Sequence, residues 1–222
     1  DAATWEALEP VVTTAPPVPP PAEVNAEKLP LQPADTLDGP PHVTCKAWAI
    51  GDGKTGQLLW GSNAERPLDF ASTTKIMTGY IVTRLADQCP AVLDQQVVFS
   101  ARADQTEGSA AGVRAGERLP VRELLYGLLL PSGNDASVAL AEHFGGRFPP
   151  PEPCPTPDDP LTRFIAEMNR TAKRLGMSTT HYENPHGLTS EGHRSSCRDL
   201  LRLSFEALKS PLFANYVRTR QR

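Results

Sequence analysis

Ser72 and Lys75, in the run Ala71-Ser72-Thr73-Thr74-Lys75-Ile76-Met77-Thr78, put a hydroxyl and an amine three residues apart at what reads as the first turn of a helix. At that spacing the two side chains share one face. A serine hydroxyl is a poor nucleophile, and an alkylammonium is no base at neutral pH. Burial or a nearby charge that depresses the amine's pKa lets a neutral lysine take the serine proton and turn the oxygen into a nucleophile. The helix start adds backbone N–H groups without intrahelical acceptors, that of Ser72 among them, which suit an oxyanion. Taken alone, the pair also fits an amphipathic helix with an exposed lysine.

A second constellation lies 60 residues further on, in Pro131-Ser132-Gly133-Asn134-Asp135. It interrupts two apolar helical stretches with a tight turn, so that a hydroxyl and a carboxamide can point into one cleft. Ser132 could relay a proton between Lys75 and a leaving group, and Asn134 could donate to a substrate carbonyl and orient the lysine amine. The competing role for Ser132 or Asn134 is to cap the following helix. His186, in Asn184-Pro185-His186-Gly187, reads as a loop residue at a cleft rim, since a histidine base needs a partner to orient it. Arg198-Asp199 reads as a helix anchor.

The elements that must position these groups follow from periodicity and turn chemistry. Val43 to Ile50 alternates like a strand, Gly51 to Gly56 is turn sequence, and Gln57-Leu58-Leu59-Trp60 resumes the sheet, which together make a hairpin. Trp48 and Trp60 on it read as core or rim aromatics. After Ser72 a helical stripe runs through Ile76, Met77, Tyr80, Ile81 and Leu85. Gln96 to Ser100 is a short strand candidate, followed by a Gly- and Ala-rich loop. Val121 to Leu130 is a nearly all-apolar and therefore buried helix. Further helices are expected over Asp135–Phe144, Leu161–Leu175 with Gly176 as its stop, and Cys197–Lys209 capped by Ser195 or Ser196. The fold class is α+β: an N-terminal hairpin of a larger antiparallel sheet plus a helical subdomain, the sheet incomplete because a lone hairpin is marginal in water.

The region of residues 1–41 stands apart. The run Pro16-Pro17-Val18-Pro19-Pro20-Pro21 and the prolines at 30, 33, 40 and 41 favour extended geometry, so the segment reads as a linker or tail ahead of a domain at 42–222. A net charge of −4 argues against a nucleic-acid partner, and the longest apolar run, Leu124 to Leu130, is far short of a membrane span. Asp1 stands where an initiator methionine would, which is expected of a processed or cut N-terminus. Cys45, Cys89, Cys154 and Cys197 lack CxxC spacing, which disfavours a zinc site; they allow three disulfide pairings and the spacing selects none. Gly53-Lys54-Thr55 is no phosphate loop, because Trp48 stands where the first glycine is needed.

The combination of Ser-x-x-Lys with Ser-x-Asn is the signature of penicillin-binding proteins and serine β-lactamases. The longer text, Ala71 to Thr78, Leu128 to Ser137, Asn184-Pro185-His186-Gly187-Leu188 and Ser195-Ser196-Cys197-Arg198-Asp199-Leu200, resembles the low-molecular-mass branch, the serine-type D-alanyl-D-alanine carboxypeptidases, over residues 43–222. The resemblance implies Ser72 as acyl-ester nucleophile, Lys75 as proton acceptor, and Ser132 and Asn134 on the opposite wall, with no metal or organic cofactor. It also implies a bacterial, extracytoplasmic setting. The substrate would be a peptidoglycan stem peptide ending in D-Ala-D-Ala, with β-lactams as covalent inhibitors. The family's third motif, Lys-Thr-Gly, lies on a late strand. The only such triplet here, Lys54-Thr55-Gly56, precedes Ser72 in the hairpin turn, so the role is not carried over and the chain is expected to lack that part of the sheet.

Overall fold

The structure, a computed structural model, describes residues 20–26, 43–153 and 158–222. The hairpin is present as β1 (Trp48–Gly51) and β2 (Leu58–Ser62), antiparallel with Ile50 opposite Trp60 and a register shift between Ile50 and Gly51. Asp52 builds its turn: the carboxylate accepts the backbone N–H groups of Lys54 (2.6 Å) and Thr55 (3.0 Å), so Lys54-Thr55-Gly56 is turn sequence and nothing more. β1 begins at Trp48, later than the alternation from Val43 suggests, and Trp60 is 53 % exposed, a rim aromatic.

A 3₁₀ turn, Ala71–Thr74, leads directly into helix α2 (Lys75–Gln88). Four more helices follow the cleft: α4 (Val121–Leu129), α5 (Asn134–Gly145), α6 (Pro160–Arg174) and α7 (Cys197–Leu208), with α8 (Pro211–Arg218) closing the set. All of these pack on α2, which is the centre of the molecule. The apolar stripe expected for α2 is too narrow. Besides Met77, Tyr80, Ile81 and Val82, the polar and small residues Thr78, Gly79 and Thr83 are buried. Gly79 lets Phe213 and Leu128 approach the helix backbone, and the Thr83 hydroxyl donates to the Gly79 carbonyl (2.8 Å), so neither residue needs solvent. The first turns of α2 are enclosed on every side, and Lys75 is buried with them, which excludes the exposed-lysine reading.

The core is continuous from α2 through Leu124, Leu125 and Leu128 of α4 to Leu140 and Phe144 of α5 and Phe164 and Met168 of α6. Ser196 caps α7, accepting from the Asp199 N–H (3.3 Å), and Gly176 (φ +69°) follows α6, both at the expected places. Among the elements that escape the sequence reading are the four-residue helix α3 (Ala101–Asp104), β4 (Arg118–Pro120) and α8. The strand β4, paired with β3 (Gln96–Val98), is too short for alternation to show. Helix α8 starts at Pro211 with Ser210 as cap and buries only Phe213 and Tyr216.

Pro21–Ala26 forms a six-residue helix, α1, inside the region expected to be extended. Pro21 occupies the first turn, where a missing N–H costs nothing, and no proline follows for eight residues. The Asn25 carboxamide oxygen accepts the N–H groups of Arg220 (2.7 Å) and Gln221 (3.0 Å). Cys45, Cys89 and Cys197 are free thiols, and Cys154 lies outside the described residues. Among the described residues no helix is long and apolar enough to cross a membrane.

Candidate active site

The 3₁₀ turn leaves Ser72 exposed at its second position while Lys75, one turn on, is only 3 % exposed. Burial arises because α2 begins beneath two converging loops, 131–134 and 184–188. The Lys75 ammonium nitrogen lies 3.2 Å from Ser72 Oγ, 2.7 Å from Asn134 Oδ1 and 2.8 Å from the His186 carbonyl oxygen. Desolvation lowers the Lys75 pKa to about 8, against the opposing pull of the Asp135 carboxylate. At pH 7 about one lysine in ten is then neutral, against fewer than about one in 10³ for a free lysine.

As the ammonium, Lys75 donates to all three oxygens; loss of one proton leaves a neutral amine with two N–H bonds and a lone pair. In that neutral form the shorter bonds to Asn134 Oδ1 and the His186 carbonyl keep the two N–H groups, and the lone pair faces the Ser72 hydroxyl. The buried amine is thereby aimed at an exposed hydroxyl. The Ser72 N–H, in the first turn, belongs to the groups that helix geometry leaves without an acceptor.

Asn134 is not a cap. Gly133 occupies the cap position of α5 with no side-chain bond, and Asn134 is the first helical residue, its side chain turned back toward α2. Its Nδ2 donates to the Glu107 carbonyl (2.6 Å) and its N–H to the Ser109 carbonyl (2.7 Å), which fixes the carboxamide with oxygen toward Lys75. Gly108 has φ +94°, and a Cβ there would stand 2.6 Å from Asn134 Nδ2, so this loop can support the carboxamide only with glycine at 108. The next residue, Asp135, accepts the N–H groups of Ala111 (2.8 Å) and Gly112 (3.0 Å) and so ties the same loop to α5.

Ser132 adopts φ +61°, a left-handed conformation that non-glycine residues seldom take and that gathers at functional sites. It lines, with Ser72, Lys75, Ile76, Tyr216 and Arg220, a cavity of about 510 Å³. Among the described residues its hydroxyl is bonded to neither Ser72 nor Lys75, so the geometry joins Asn134 to the lysine directly and leaves Ser132 lining the same cavity.

The contribution missed by sequence reasoning is main-chain. The Asn184 carboxamide oxygen accepts the N–H groups of His186 (3.3 Å) and Gly187 (2.6 Å), folding the loop so that the Pro185 carbonyl meets the Thr78 hydroxyl (2.7 Å) and the His186 carbonyl meets Lys75. The His186 ring is not a base for Ser72. Its Nδ1 accepts the Leu188 N–H (3.1 Å), and burial followed by the Lys75 charge brings its pKa down to about 4. Asn-Pro before His-Gly is turn chemistry and was legible as such, but a carbonyl direction is not written in a residue type.

Comparisons with known proteins show the family. Residues 34–222 match the family model Peptidase_S11, described as D-alanyl-D-alanine carboxypeptidase. The chain is 36 % identical over 171 residues to D-alanyl-D-alanine carboxypeptidase DacD of Salmonella typhimurium, covering 74 % of this chain and 40 % of that protein. It is 30 % identical over 200 residues to the D-alanyl-D-alanine carboxypeptidase of Streptomyces sp. strain K15, covering 90 % of this chain and 66 % of that one. Among solved structures, penicillin binding protein 6B from Escherichia coli superposes with a TM-score of 0.68 at 32 % identity, over 86 % of this chain and 57 % of that one. The chain thus spans about two fifths to two thirds of the length of these relatives. With the paired motifs assembled around one cleft and the family model matching residues 34–222, most of the sequence, the chain belongs to the Peptidase_S11 family of D-alanyl-D-alanine carboxypeptidases.

Proposed function

We propose that this chain carries the acylation centre of an extracytoplasmic bacterial serine D-alanyl-D-alanine carboxypeptidase, in a catalytic domain at residues 42–222 that follows a proline-rich linker at 1–41. One observation carries the reading: a lysine 3 % exposed, with its pKa lowered to about 8, lies 3.2 Å from the hydroxyl of an exposed serine. The substrate is a peptidoglycan stem peptide ending in D-Ala-D-Ala. Ser72 Oγ attacks the carbonyl carbon of the penultimate D-alanine as its proton passes to Lys75 Nζ, and the oxyanion is met by backbone donors of the helix start. The C–N bond then breaks. The proton returns from Lys75, through Ser132 in the same cavity, to the nitrogen of the departing D-alanine. Water hydrolyses the ester and restores Ser72. Asn134 holds the amine in register and offers its carboxamide edge to the substrate. A β-lactam presents a similar acyl group and remains on Ser72 as an ester.

A fluorescent penicillin tests the assignment. One covalent label per chain is expected on Ser72, identified by peptide mass spectrometry and lost in Ser72→Ala. A folded chain that takes up no label would sink the enzymatic reading in favour of a non-catalytic cell-wall binding role. Rapid release of hydrolysed cephalosporin would instead identify a β-lactamase.

A further inference from the structure

Behind the nucleophile turn lies a buried histidine that the acylation chemistry does not use. His193 is 1 % exposed, and its ring stacks on Phe70, parallel and 4.6 Å away between centroids. Its Nδ1 accepts the backbone N–H of Glu183 (3.0 Å), and its Nε2 lies 2.8 Å from the Thr74 hydroxyl oxygen. That hydroxyl in turn donates to the Ala71 carbonyl (2.8 Å). The hydroxyl has one proton and it goes to Ala71, so the histidine must be the donor at Nε2. Glu183 must be the donor at Nδ1. Both ends therefore select the neutral Nε2–H tautomer, and the chain of bonds runs in one direction from the Glu183 amide to the Ala71 carbonyl. Burial lowers the His193 pKa to about 4, in keeping with a neutral ring.

Ala71 is where that chain ends and where the backbone is strained. It has φ +45° immediately before Ser72, and its carbonyl lies so near Gly187 that a Cβ there would overlap the oxygen. A left-handed alanine persists only when its surroundings over-determine it. The Thr74–His193 pair provides one such constraint, and the close approach of the 184–188 loop at Gly187 leaves the carbonyl no room on that side.

We propose that His193 is a positioning residue for Ser72: through Thr74 it locks the strained Ala71 peptide and so aims the nucleophile at Lys75. The inference rests on Ser72 being the acylated residue, but the locking of the turn can be measured without that. His193→Phe keeps the stacking on Phe70 and removes both hydrogen bonds. Thr74→Val breaks the same chain from the other end with almost no change of volume. His193→Gln restores an N–H donor for Thr74.

Two measurements on the full chain decide the matter. Amide hydrogen exchange over residues 71–75 is expected to quicken about tenfold or more in His193→Phe and Thr74→Val, and less in His193→Gln, with exchange in α4 to α6 unchanged. Fluorescent penicillin is expected to acylate the first two variants about 10–100-fold more slowly, as for a misplaced reacting group, with recovery in His193→Gln. The double variant should be no slower than either single one, because both break one chain. Exchange at 71–75 equal to that of the unaltered protein, or labelling within about twofold of it, overturns the proposal. So does a double variant whose losses multiply, which marks two independent packing defects. Failure of the unaltered chain to label overturns the acylation reading instead, and the exchange comparison still decides whether His193 holds the turn.

Discussion

Replacing Asn134 by aspartate tests the idea that Lys75 is kept as a neutral base. The substitution is nearly isosteric and puts a carboxylate where the carboxamide oxygen now lies, 2.7 Å from Nζ. An opposite charge at that range raises a lysine pKa by about 1–3 units. Starting from about 8, the amine would titrate about 1–3 units higher, and its neutral fraction at pH 7 would fall from about 10⁻¹ to between about 10⁻² and 10⁻⁴. If the neutral form alone takes the Ser72 proton, acylation at pH 7 slows by about 10–10³-fold. The signature is in the profile: the unaltered chain should gain rate about tenfold per pH unit up to a midpoint near 8, and the variant should keep climbing beyond it. The aspartate also faces the Glu107 carbonyl without a proton to give, so circular dichroism and a thermal melt must show that the variant is folded. Stopped-flow labelling with fluorescent penicillin from pH 6 to 10 provides the rates. A variant that is folded, slow and unshifted in midpoint would refute the base assignment, because the loss would then come from geometry alone.

Three further outcomes follow from the same site. Asp135→Asn removes the charge that holds the Lys75 pKa up, so the midpoint of the acylation profile should move to lower pH, opposite in sign to Asn134→Asp; the same labelling series measures it. Gly187→Ala places a Cβ into the Ala71 carbonyl at φ +99°, and should cost about 3 kcal/mol in urea unfolding together with most of the labelling, whereas alanine at Gly146, where a Cβ meets nothing, should be tolerated. Lys75 also leaves a mark on stability. Its folded pKa, about 8, is below the unfolded value near 10.5, so the unfolded chain holds more protons in that window and stability from this group rises with pH through it. Between pH 7 and 10 the gain is roughly 2 kcal/mol, and it should be missing from Lys75→Met when urea midpoints of the two proteins are compared at each pH.

What the sequence determined by itself is the inventory and the order of elements. Ser72, Lys75, Ser132 and Asn134 were legible because each motif is local: three residues on a helical turn, or two in a tight turn, keep their relation whatever the rest of the chain does. The long helices were legible for the same reason, as periodicity and caps are short-range. The tertiary structure decided everything that depends on partners distant in sequence. It enclosed the first turns of α2, which turned a lysine compatible with an exposed face into a buried amine. It took Asn134 away from the capping role that its local preference suggested and gave its oxygen to Lys75. It turned the main-chain carbonyl of His186, read as a rim loop residue, onto Lys75, and it brought His193 behind Ser72 from more than 100 residues away. Side-chain chemistry is a property of residue type and near neighbours. Desolvation, carbonyl direction and the sharing of hydrogen bonds are properties of packing, and they exist only once the chain has closed on itself.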